Sequence, residues 1–439
     1  MNQTMISTGF APDPALAGRD LLLDEGWVHQ RLAERLGLNG PLDIETCTRV
    51  RAKYRIGESL RATYRLDTPT STQLVTARMF TAPDTAAGAY TKARGSAVPV
   101  PGLHPVLFDG PYGTVWWALP NDRRLRNAAA LLAPESEAAA AVIQLPLALA
   151  LPGWSRSHIA EYSAERCLTL RATDRADTTL GYVKLFAPGR VDVQALARRY
   201  QQVARTLPCP RVLHVGRDLF IQEPLPGLTL AQIEPNQEEA ALGELGRVIA
   251  RLHGMDGMDR MDGMGGITAA PAFRRLEVER VVHSVELVAL ARPDVAPLTR
   301  HLARRLRPGP PAGEAPVLLH GDCHPKNALV HGSGVALIDL DQAGIGPAAA
   351  DLASMLARLA HRAIVGDLGT DRAETLGEAF LGGYAEVRAL PQGASLAWHT
   401  AAALVAERAI RAVNRVDVKA LGRLDQVLEV ALGLVRDPA

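Results

Sequence analysis

Cysteine is scarce in this sequence of 439 residues. The four cysteines, Cys47, Cys167, Cys209 and Cys323, are scattered, and no two of them have the C-x-x-C spacing of metal or redox sites. This pattern argues against a disulfide framework and for reduced thiols. We therefore expect a cytoplasmic protein.

The sequence also lacks the signals of export, of membrane insertion and of nucleic-acid binding. Its N-terminus has no basic region followed by an apolar run, so no export signal is expected. The one long apolar stretch, residues 138–154, is broken by Gln144, Pro146 and Pro152 and is too short to span a bilayer. The net charge is only +1, which excludes a protein that binds nucleic acid by general electrostatics.

The most informative stretch of the chain runs from Leu318 to Asp341 and predicts a β-hairpin. Two short runs rich in β-branched residues, 328–330 and 335–338, flank the turn-forming sequence Gly-Ser-Gly. With Ser333 at the centre of the turn, Asn327 and Asp339 would lie opposite each other; a register shifted by one residue is the open alternative. An amide oxygen and a carboxylate so placed suit magnesium. Asp322 would then be left to face a substrate.

That division of roles is typical of phosphoryl transfer, in which one Asp accepts a hydroxyl proton while an Asn and an Asp hold magnesium. The stretch resembles the aminoglycoside phosphotransferase and choline kinase-like family, whose motif is H-G-D-x-H-x-x-N followed by a strand that ends in I-D-x-D. The matching residues are His320, Gly321, Asp322, His324, Asn327, Ile338, Asp339 and Asp341. The resemblance spans about residues 160–390. It implies that Asp322 is catalytic and that Asn327 and Asp339 bind Mg²⁺.

The same resemblance implies an α+β, protein-kinase-like fold with two lobes, an antiparallel-sheet N-lobe and a mainly helical C-lobe. Lys184 is one of only five lysines and lies in an apolar strand, where an unpaired ammonium would cost on the order of several kcal/mol. The phosphates of ATP would supply the counter-charge; a lysine that reaches solvent from an edge strand is the alternative. By resemblance, the Glu223 carbonyl and the Leu225 amide of the hinge would bind adenine.

Two departures from the family pattern affect the predicted nucleotide site. The segment after Lys184 has no glutamate to pair with the lysine, which leaves Gln194 or Gln201 as weaker partners. The turn from Ser163 to Cys167, which would cover the phosphates, has no glycine.

An extra α+β lobe precedes the kinase-like region and possesses a similar order of strands and turns. Arg78 matches Lys184 at an offset of 106 residues, and the same offset relates Val106 to Val212. We interpret this lobe as a degenerate copy of the kinase N-lobe; an unrelated extension is the alternative. The expected domains are the N-terminal cap lobe 1–150, the kinase-like N-lobe and hinge 151–228, and the helical C-lobe 229–439.

Three further features of the sequence lead to predictions of their own. Residues 254–266, rich in Met and Gly, are expected to form a loop, with a lid or a copper(I) site as alternatives. Asp351 is expected to be structural, in the first turn of a helix. A stripe of polar residues is expected to be a solvated helical face, with the substrate site as the alternative. Its members are His399, Glu407, Arg411 and Asn414.

The sequence therefore predicts a kinase that uses ATP and Mg²⁺ to phosphorylate a hydroxyl of a small molecule such as a sugar, an antibiotic or another metabolite. It would act as a monomer or homodimer, without nucleic-acid or membrane partners. The alternatives are a nucleotide-binding pseudokinase or scaffold, a kinase for peptide Ser/Thr hydroxyls, and a metal-dependent hydrolase with His320, Asp322 and His324 as ligands. The many arginines of the C-terminal half argue against a polycationic aminoglycoside.

Overall fold

The computed structural model describes residues 9–136, 139, 149–255, 273–332 and 334–435. The chain forms two compact units. The first comprises Met1–Ala197, Val212–Pro224 and Asn414–Val416, and the second comprises Arg198–Arg211, Leu225–Val413 and Asp417–Ala439. Residues 256–266 of the Met-rich segment, the middle of the apolar stretch and Ser333 were named above and lie outside the described residues. None of the helices in the described ranges is long and apolar enough to cross a membrane.

The first unit contains two antiparallel sheets of five strands with the same strand order. The first sheet has the order β1-β2-β3-β5-β4, and the second has the order β6-β7-β8-β10-β9. The strands of the first sheet are β1 (Thr46–Arg55), β2 (Ser59–Thr68), β3 (Ser71–Phe80), β4 (Val106–Asp109) and β5 (Thr114–Ala118). Those of the second are β6 (Arg156–Ser163), β7 (Cys167–Thr173), β8 (Thr179–Phe186), β9 (Val212–Val215) and β10 (Leu219–Gln222).

The shared topology agrees with the repeat read from the sequence. Arg78 lies on β3, opposite Arg61 of β2, and Lys184 lies on β8, opposite Thr169 of β7. Strands β4 and β9 begin at Val106 and Val212, 106 residues apart. The extra N-terminal α+β region is therefore present, while its origin by duplication stays a hypothesis.

One hydrophobic core is shared by the two sheets. Side chains alternate along each strand between the two faces of a sheet, so every second apolar residue can face inward. Trp117 of the first sheet donates a hydrogen bond from Nε1 to the hydroxyl of Tyr162 in the second sheet, at 3.0 Å. The core includes Val106, Val115, Trp117, Leu119, Tyr162, Leu168, Leu170, Val183, Leu185 and Ile221. The second sheet therefore buries its apolar face against residues that precede position 120.

Most of the secondary structure of the described residues is helical. A side-chain cap begins one of the first helices, where Asp24 accepts a hydrogen bond from the Trp27 amide at 2.8 Å. The first helices are α1 (Arg19–Leu23), α2 (Glu25–Arg35), α3 (Pro83–Arg94), α4 (Ala128–Leu132) and α5 (Val193–Val203). They are followed by α6 (Glu238–His253), α7 (Val278–Ala291), α8 (Ala296–Leu306), α9 (Ala348–Ile364), α10 (Thr370–Ala385), α11 (Gly393–Ala403), α12 (Ile410–Arg415), α13 (Val418–Leu421) and α14 (Leu424–Leu434).

The second unit is mainly helical and carries two small antiparallel sheets. One has the order β11-β13-β14 and the other pairs β12 with β15. Their strands are β11 (Leu228–Thr229), β12 (Pro316–Leu319), β13 (Ala328–His331), β14 (Gly334–Leu337) and β15 (Gly344–Pro347). Between β12 and β15 the chain passes through the whole predicted catalytic motif.

We predict that Trp117→Ala lowers the free energy of unfolding by about 3–5 kcal/mol, the range for removal of a large buried aromatic side chain. Trp117 is 6% exposed and touches the core from both sheets. Denaturant unfolding measures the change. Val50→Ala, on a 50% exposed strand position, is the matched control and should stay within about 0.5 kcal/mol of wild type. Equal stability of the two variants would contradict the shared core.

Candidate active site

The catalytic loop leaves β12 through a sharp turn at Gly321. This glycine has a φ of +77°. A Cβ atom there would lie 2.2 Å from the carbonyl oxygen of Gln342, so no other residue fits without moving the backbone. The turn at Gly321 connects the buried His320 to Asp322.

The buried carboxylate of Asp351 holds the backbone of this loop in place. Its two oxygens accept hydrogen bonds from the amides of His320 at 2.7 Å and Gly321 at 2.9 Å. His253 Nε2 lies 3.2 Å from the same carboxylate, and His253 Nδ1 lies 3.0 Å from the Tyr384 hydroxyl. Burial would raise the pKa of Asp351, but the hydrogen bond and charge of His253, with His320 and the Gly321 amide, hold it below its usual value. The structural role expected for Asp351 is confirmed, and it depends on a network that local sequence signals did not reveal.

The first histidine of the motif is a positioning residue. His320 is buried, its Nε2 donates to the Ile338 carbonyl at 3.0 Å, and its Nδ1 accepts from the Asp322 amide at 3.3 Å. Both ring nitrogens are thus used by the chain itself. Within the described ranges, no group of three or more His, Cys, Asp or Glu side chains is placed to hold a metal ion.

Asp322 is placed to act as an acceptor of a proton. Its side chain is 21% exposed, and Oδ2 lies 3.6 Å from His324 Nε2. Among the described residues, Oδ1 is buried and has no hydrogen-bond partner. Burial would raise the pKa of Asp322, but His324 and the charges of Arg411 and Arg275 hold it well below its usual range. Asp322 is therefore ionised at neutral pH and retains one oxygen for a substrate.

The hairpin that follows has a register one residue away from the expected one. His331 pairs with Gly334 and Ala328 pairs with Leu337, so the turn has two positions rather than three. Asn327 therefore lies opposite Ile338, whose amide donates to the Asn327 carbonyl at 3.0 Å, and not opposite Asp339. The expected Asn327–Asp339 pairing was wrong for this reason. Asp339 comes one position later, in a left-handed conformation with a φ of +61°.

Asn327 and Asp339 nevertheless fit a divalent cation by the chemistry of their donors. The Asn327 amide nitrogen donates to the Asp322 carbonyl at 3.0 Å, so its side-chain oxygen is the atom left for a cation. Asp339 is half-buried and follows β14 by two residues. An amide oxygen and a carboxylate are hard ligands, and Mg²⁺ completes its shell with water and phosphate oxygens.

The remaining predicted site residues lie on either side of the division between the two units. Lys184 is half-buried on β8 between the buried Val183 and Leu185, and Glu223 directly follows β10. Leu225 opens the next segment of the second unit. The roles predicted for these three residues in nucleotide binding stay predictions. Gln194 and Gln201, expected as weak partners of Lys184, are both exposed.

The glycine-free turn Ser163–Cys167 is held by side chains of the first sheet. Glu165 has a φ of +58°, and its carboxylate accepts two hydrogen bonds from Arg78 Nη1, at 2.8 and 2.7 Å. Arg61 Nη1 lies 3.1 Å from the same carboxylate, and the Glu165 amide donates to Asp122 Oδ2 at 2.6 Å. Glu165 is 9% exposed in its side chain, so these are buried contacts. Sequence reasoning singled out Arg78 but missed its partner.

The polar stripe near the C-terminus is not a solvated face at its two best-buried positions. His399 is 1% exposed and Glu407 is 2% exposed. Glu407 lies in a π-helical turn, Leu404–Ala409, and accepts hydrogen bonds from Ser354 at 2.7 Å and Arg408 at 3.2 Å. Short π-helical segments occur frequently at functional sites. The expectation of a solvated face was wrong here, because helical periodicity does not tell which side a polar stripe faces.

Comparison with known proteins places the chain in a family. The sequence model of the phosphotransferase enzyme family matches residues 172–390, about half of the chain. The region includes Lys184 and the whole catalytic motif. The chain therefore belongs to this phosphotransferase family, and the α+β, protein-kinase-like fold expected from the sequence is confirmed. No curated protein sequence matches the chain.

Several solved structures resemble the chain at low identity. A macrolide 2'-phosphotransferase from Brachybacterium faecium is 20% identical, with 67% of this chain and 97% of that chain covered and a TM-score of 0.41. A choline kinase from Cryptosporidium parvum Iowa II is 14% identical, with 62% and 88% covered and a TM-score of 0.44. A choline/ethanolamine kinase family protein from Mesorhizobium loti is 15% identical, with 69% and 99% covered and a TM-score of 0.41.

We predict that Asp351→Asn lowers the free energy of unfolding by about 3–5 kcal/mol, as for removal of one partner from a buried charged pair. Asparagine keeps the shape but cannot accept a hydrogen bond at both positions. Denaturant unfolding at neutral pH measures the loss. Asp371→Asn, at an exposed first-turn position of α10, is the matched control and should change little.

Comparison of wild type with Asp351→Asn also predicts how the free energy of unfolding depends on pH. The folded-state pKa of Asp351 lies below the unfolded value of about 3.9. Its stabilising contribution is therefore present above that value and is lost as the pH falls through the folded-state pKa. Between about pH 6 and pH 3, wild type should lose more stability than Asp351→Asn. Parallel pH curves would show that folding does not lower the pKa of Asp351.

Proposed function

We propose that the protein is an ATP-dependent phosphotransferase that phosphorylates a hydroxyl group of a small molecule. The observation that carries this proposal is Asp322, whose backbone carbonyl accepts a hydrogen bond from Asn327 and whose carboxylate has a lowered pKa and one unpartnered oxygen among the described residues. A general base must have such an oxygen within hydrogen-bond reach of the proton that it removes. Membership of the phosphotransferase family supports the reaction class.

In this proposal Asp322 orients the acceptor hydroxyl and takes its proton. The hydroxyl oxygen forms a bond to the γ-phosphorus as the bond from that phosphorus to the bridging oxygen breaks, and ADP leaves with those electrons. The Gly321 turn and the Asp351 carboxylate fix the backbone that carries Asp322, which restricts the carboxylate to productive orientations. Asn327 and Asp339 would hold Mg²⁺, which neutralises charge on the phosphates when bound.

The nucleotide site is proposed to lie on the second sheet. Lys184, between buried apolar neighbours, would bind the outer phosphates, and the Glu223 carbonyl with the Leu225 amide would bind adenine. Glycine normally allows the covering turn to approach the phosphates closely. Here the Glu165 amide is fixed by Asp122 and its side chain by Arg78 and Arg61, so an anchored turn would replace a glycine-rich one.

A second candidate function, a nucleotide-binding pseudokinase, is favoured by that same glycine-free turn and by the segment after Lys184, whose sequence contains no glutamate. A pseudokinase would be stabilised against heat by ATP with Mg²⁺ but would release no ADP when hydroxyl compounds are added. The two functions are thus separated by acceptor-dependent turnover.

We predict that Asp322→Asn lowers kcat by roughly 10²–10⁴-fold, the contribution typical of a general base, with little change in ATP binding. ADP release is measured with ATP and Mg²⁺ across sugars, aminoglycosides, choline and hydroxy acids. Asp371→Asn is the control and should retain wild-type turnover. Acceptor-dependent turnover that survives in Asp322→Asn would contradict the assigned base, and no turnover in wild type would favour the pseudokinase.

We also predict that Glu165→Gln raises the KM for ATP by about tenfold and leaves the KM for the acceptor unchanged, because it releases the turn from two guanidinium groups. Steady-state kinetics at fixed saturating acceptor measure the effect. Glu161→Gln is the matched control, since Glu161 pairs with Arg51 on the neighbouring surface and is 54% exposed. If both variants have the same KM for ATP, the turn is not part of the nucleotide site.

A further inference from the structure

Three arginines from three different elements lie within electrostatic range of Asp322. Arg275 belongs to a short 3-10 helix, Phe273–Leu276, Arg358 to α9 and Arg411 to α12. The charges of Arg411 and Arg275 lower the pKa of Asp322. Burial lowers the pKa of Arg358, and the charge of Asp322 opposes that effect. The 3-10 helix and α9 both pack against the π-helical turn that leads into α12.

The buried carboxylate of Glu407 is already bound by a fourth arginine. Glu407 accepts hydrogen bonds from Arg408 and Ser354, and its charge acts on Arg358 only through space. Within the part of the chain that the structure describes, no ion pair joins Arg275, Arg358 or Arg411 to a carboxylate. Asp322 interacts through space with all three, so among the described residues the guanidinium groups around it outnumber the carboxylates that act on them.

Two of these guanidinium groups also have buried atoms without a partner. Arg275 Nη2 and Arg358 Nε are both shielded from water and have no hydrogen-bond acceptor among the described residues. A buried charge without a hydrogen-bond partner is costly, and like charges nearby add to that cost. Guanidinium groups bind carboxylate and phosphate through two parallel hydrogen bonds, so an arriving oxyanion would relieve the cost at several atoms together.

We propose that the acceptor substrate is an anion, with a carboxylate, phosphate or sulfate group near the hydroxyl that Asp322 activates, and that Arg358 and Arg411, with Arg275, bind that group. This inference rests on the proposed phosphotransferase function and names the substrate class for its site. The arginines come from α9, α12 and the 3-10 helix, whereas Asn327 and Asp339 flank the β13–β14 hairpin. The two sets of residues therefore lie on different elements, one for the acceptor and one for the nucleotide phosphates.

The same charges select against cationic acceptors. A polycationic aminoglycoside or choline would bring positive charge towards guanidinium groups that already lack counter-charges, and such like-charge contacts reject the wrong partner. We therefore expect this protein to prefer anionic acceptors over cationic ones, which is the opposite of the preference of enzymes that phosphorylate cationic acceptors.

The test compares acid and neutral members of matched pairs, D-gluconate with D-glucose and D-glycerate with glycerol, in wild type and in three variants. The variants are Arg358→Gln, Arg411→Gln and the control Arg362→Gln, which lies on α9 beside Glu238. We expect wild type to prefer the acids. The KM for the acid should rise about tenfold to a hundredfold in Arg358→Gln and Arg411→Gln, as expected for the loss of one charge-assisted hydrogen bond. The control should keep the wild-type KM.

A binding measurement separates this inference from the proposed function. Calorimetry with D-gluconate and with inorganic sulfate, at tens of millimolar and without ATP, should show binding that weakens in Arg358→Gln and persists in Arg362→Gln. Such binding without any phosphorylation would support the anion site and overturn the phosphotransferase. Turnover of neutral or cationic acceptors that is unaffected by Arg358→Gln would support the phosphotransferase and overturn the anionic acceptor. Equal anion binding by wild type and Arg358→Gln, or none, would also overturn it. An equal loss of kcat with every acceptor would place Arg358 on the transferred phosphate instead.

Discussion

The candidate site depends on one buried carboxylate. Asp351 accepts hydrogen bonds from two consecutive backbone amides of the catalytic loop and contacts His253, so a single side chain connects α9, α6 and the loop. Close approach of α6 and α10 makes this possible: a Cβ on Gly383 would lie 1.9 Å from the Gly243 carbonyl. That approach brings Tyr384 to His253. Without this support, the tight turn at Gly321 would have little to hold it in place.

The sequence allowed more to be predicted about which chemical groups are at the candidate site than about how they are arranged. The spacing of Asp322, Asn327 and Asp339 indicated one base and two cation ligands, and all three lie in the second unit around the hairpin. The register could not be predicted, because it depends on whether the turn holds two or three residues, and Gly-Ser-Gly permits both. His253 and Tyr384 could not be predicted either. They are distant in sequence from Asp351, and no local pattern marks a contact between remote helices.

Two features that the sequence showed separately are in contact in the structure. The sequence had Arg78 at the position that matches Lys184, and it had a turn without glycine. In the structure these are partners, since Arg78 binds Glu165 within that turn. The guanidinium group on β3 thus holds a side chain in the turn of the second sheet. The offset of 106 residues could reveal the equivalence of the positions, but only the fold could reveal that one contacts the other.

In the proposed function, the charge around Asp322 links the proposed base to the choice of substrate. Burial opposes ionisation of this carboxylate, and His324 with the charges of Arg411 and Arg275 lowers its pKa again. Arg358 also lies in the field of Asp322, whose charge raises the pKa of that guanidinium. One negative charge cannot balance three positive ones, and Glu407 is already occupied by Arg408 and Ser354. Counted over the described residues, the resting site therefore has fewer negative than positive charges. An acceptor that carries its own oxyanion would remove this deficit as it binds, whereas a cationic acceptor would increase it. The arrangement that keeps the base ionised is thus also the one that favours an anionic substrate.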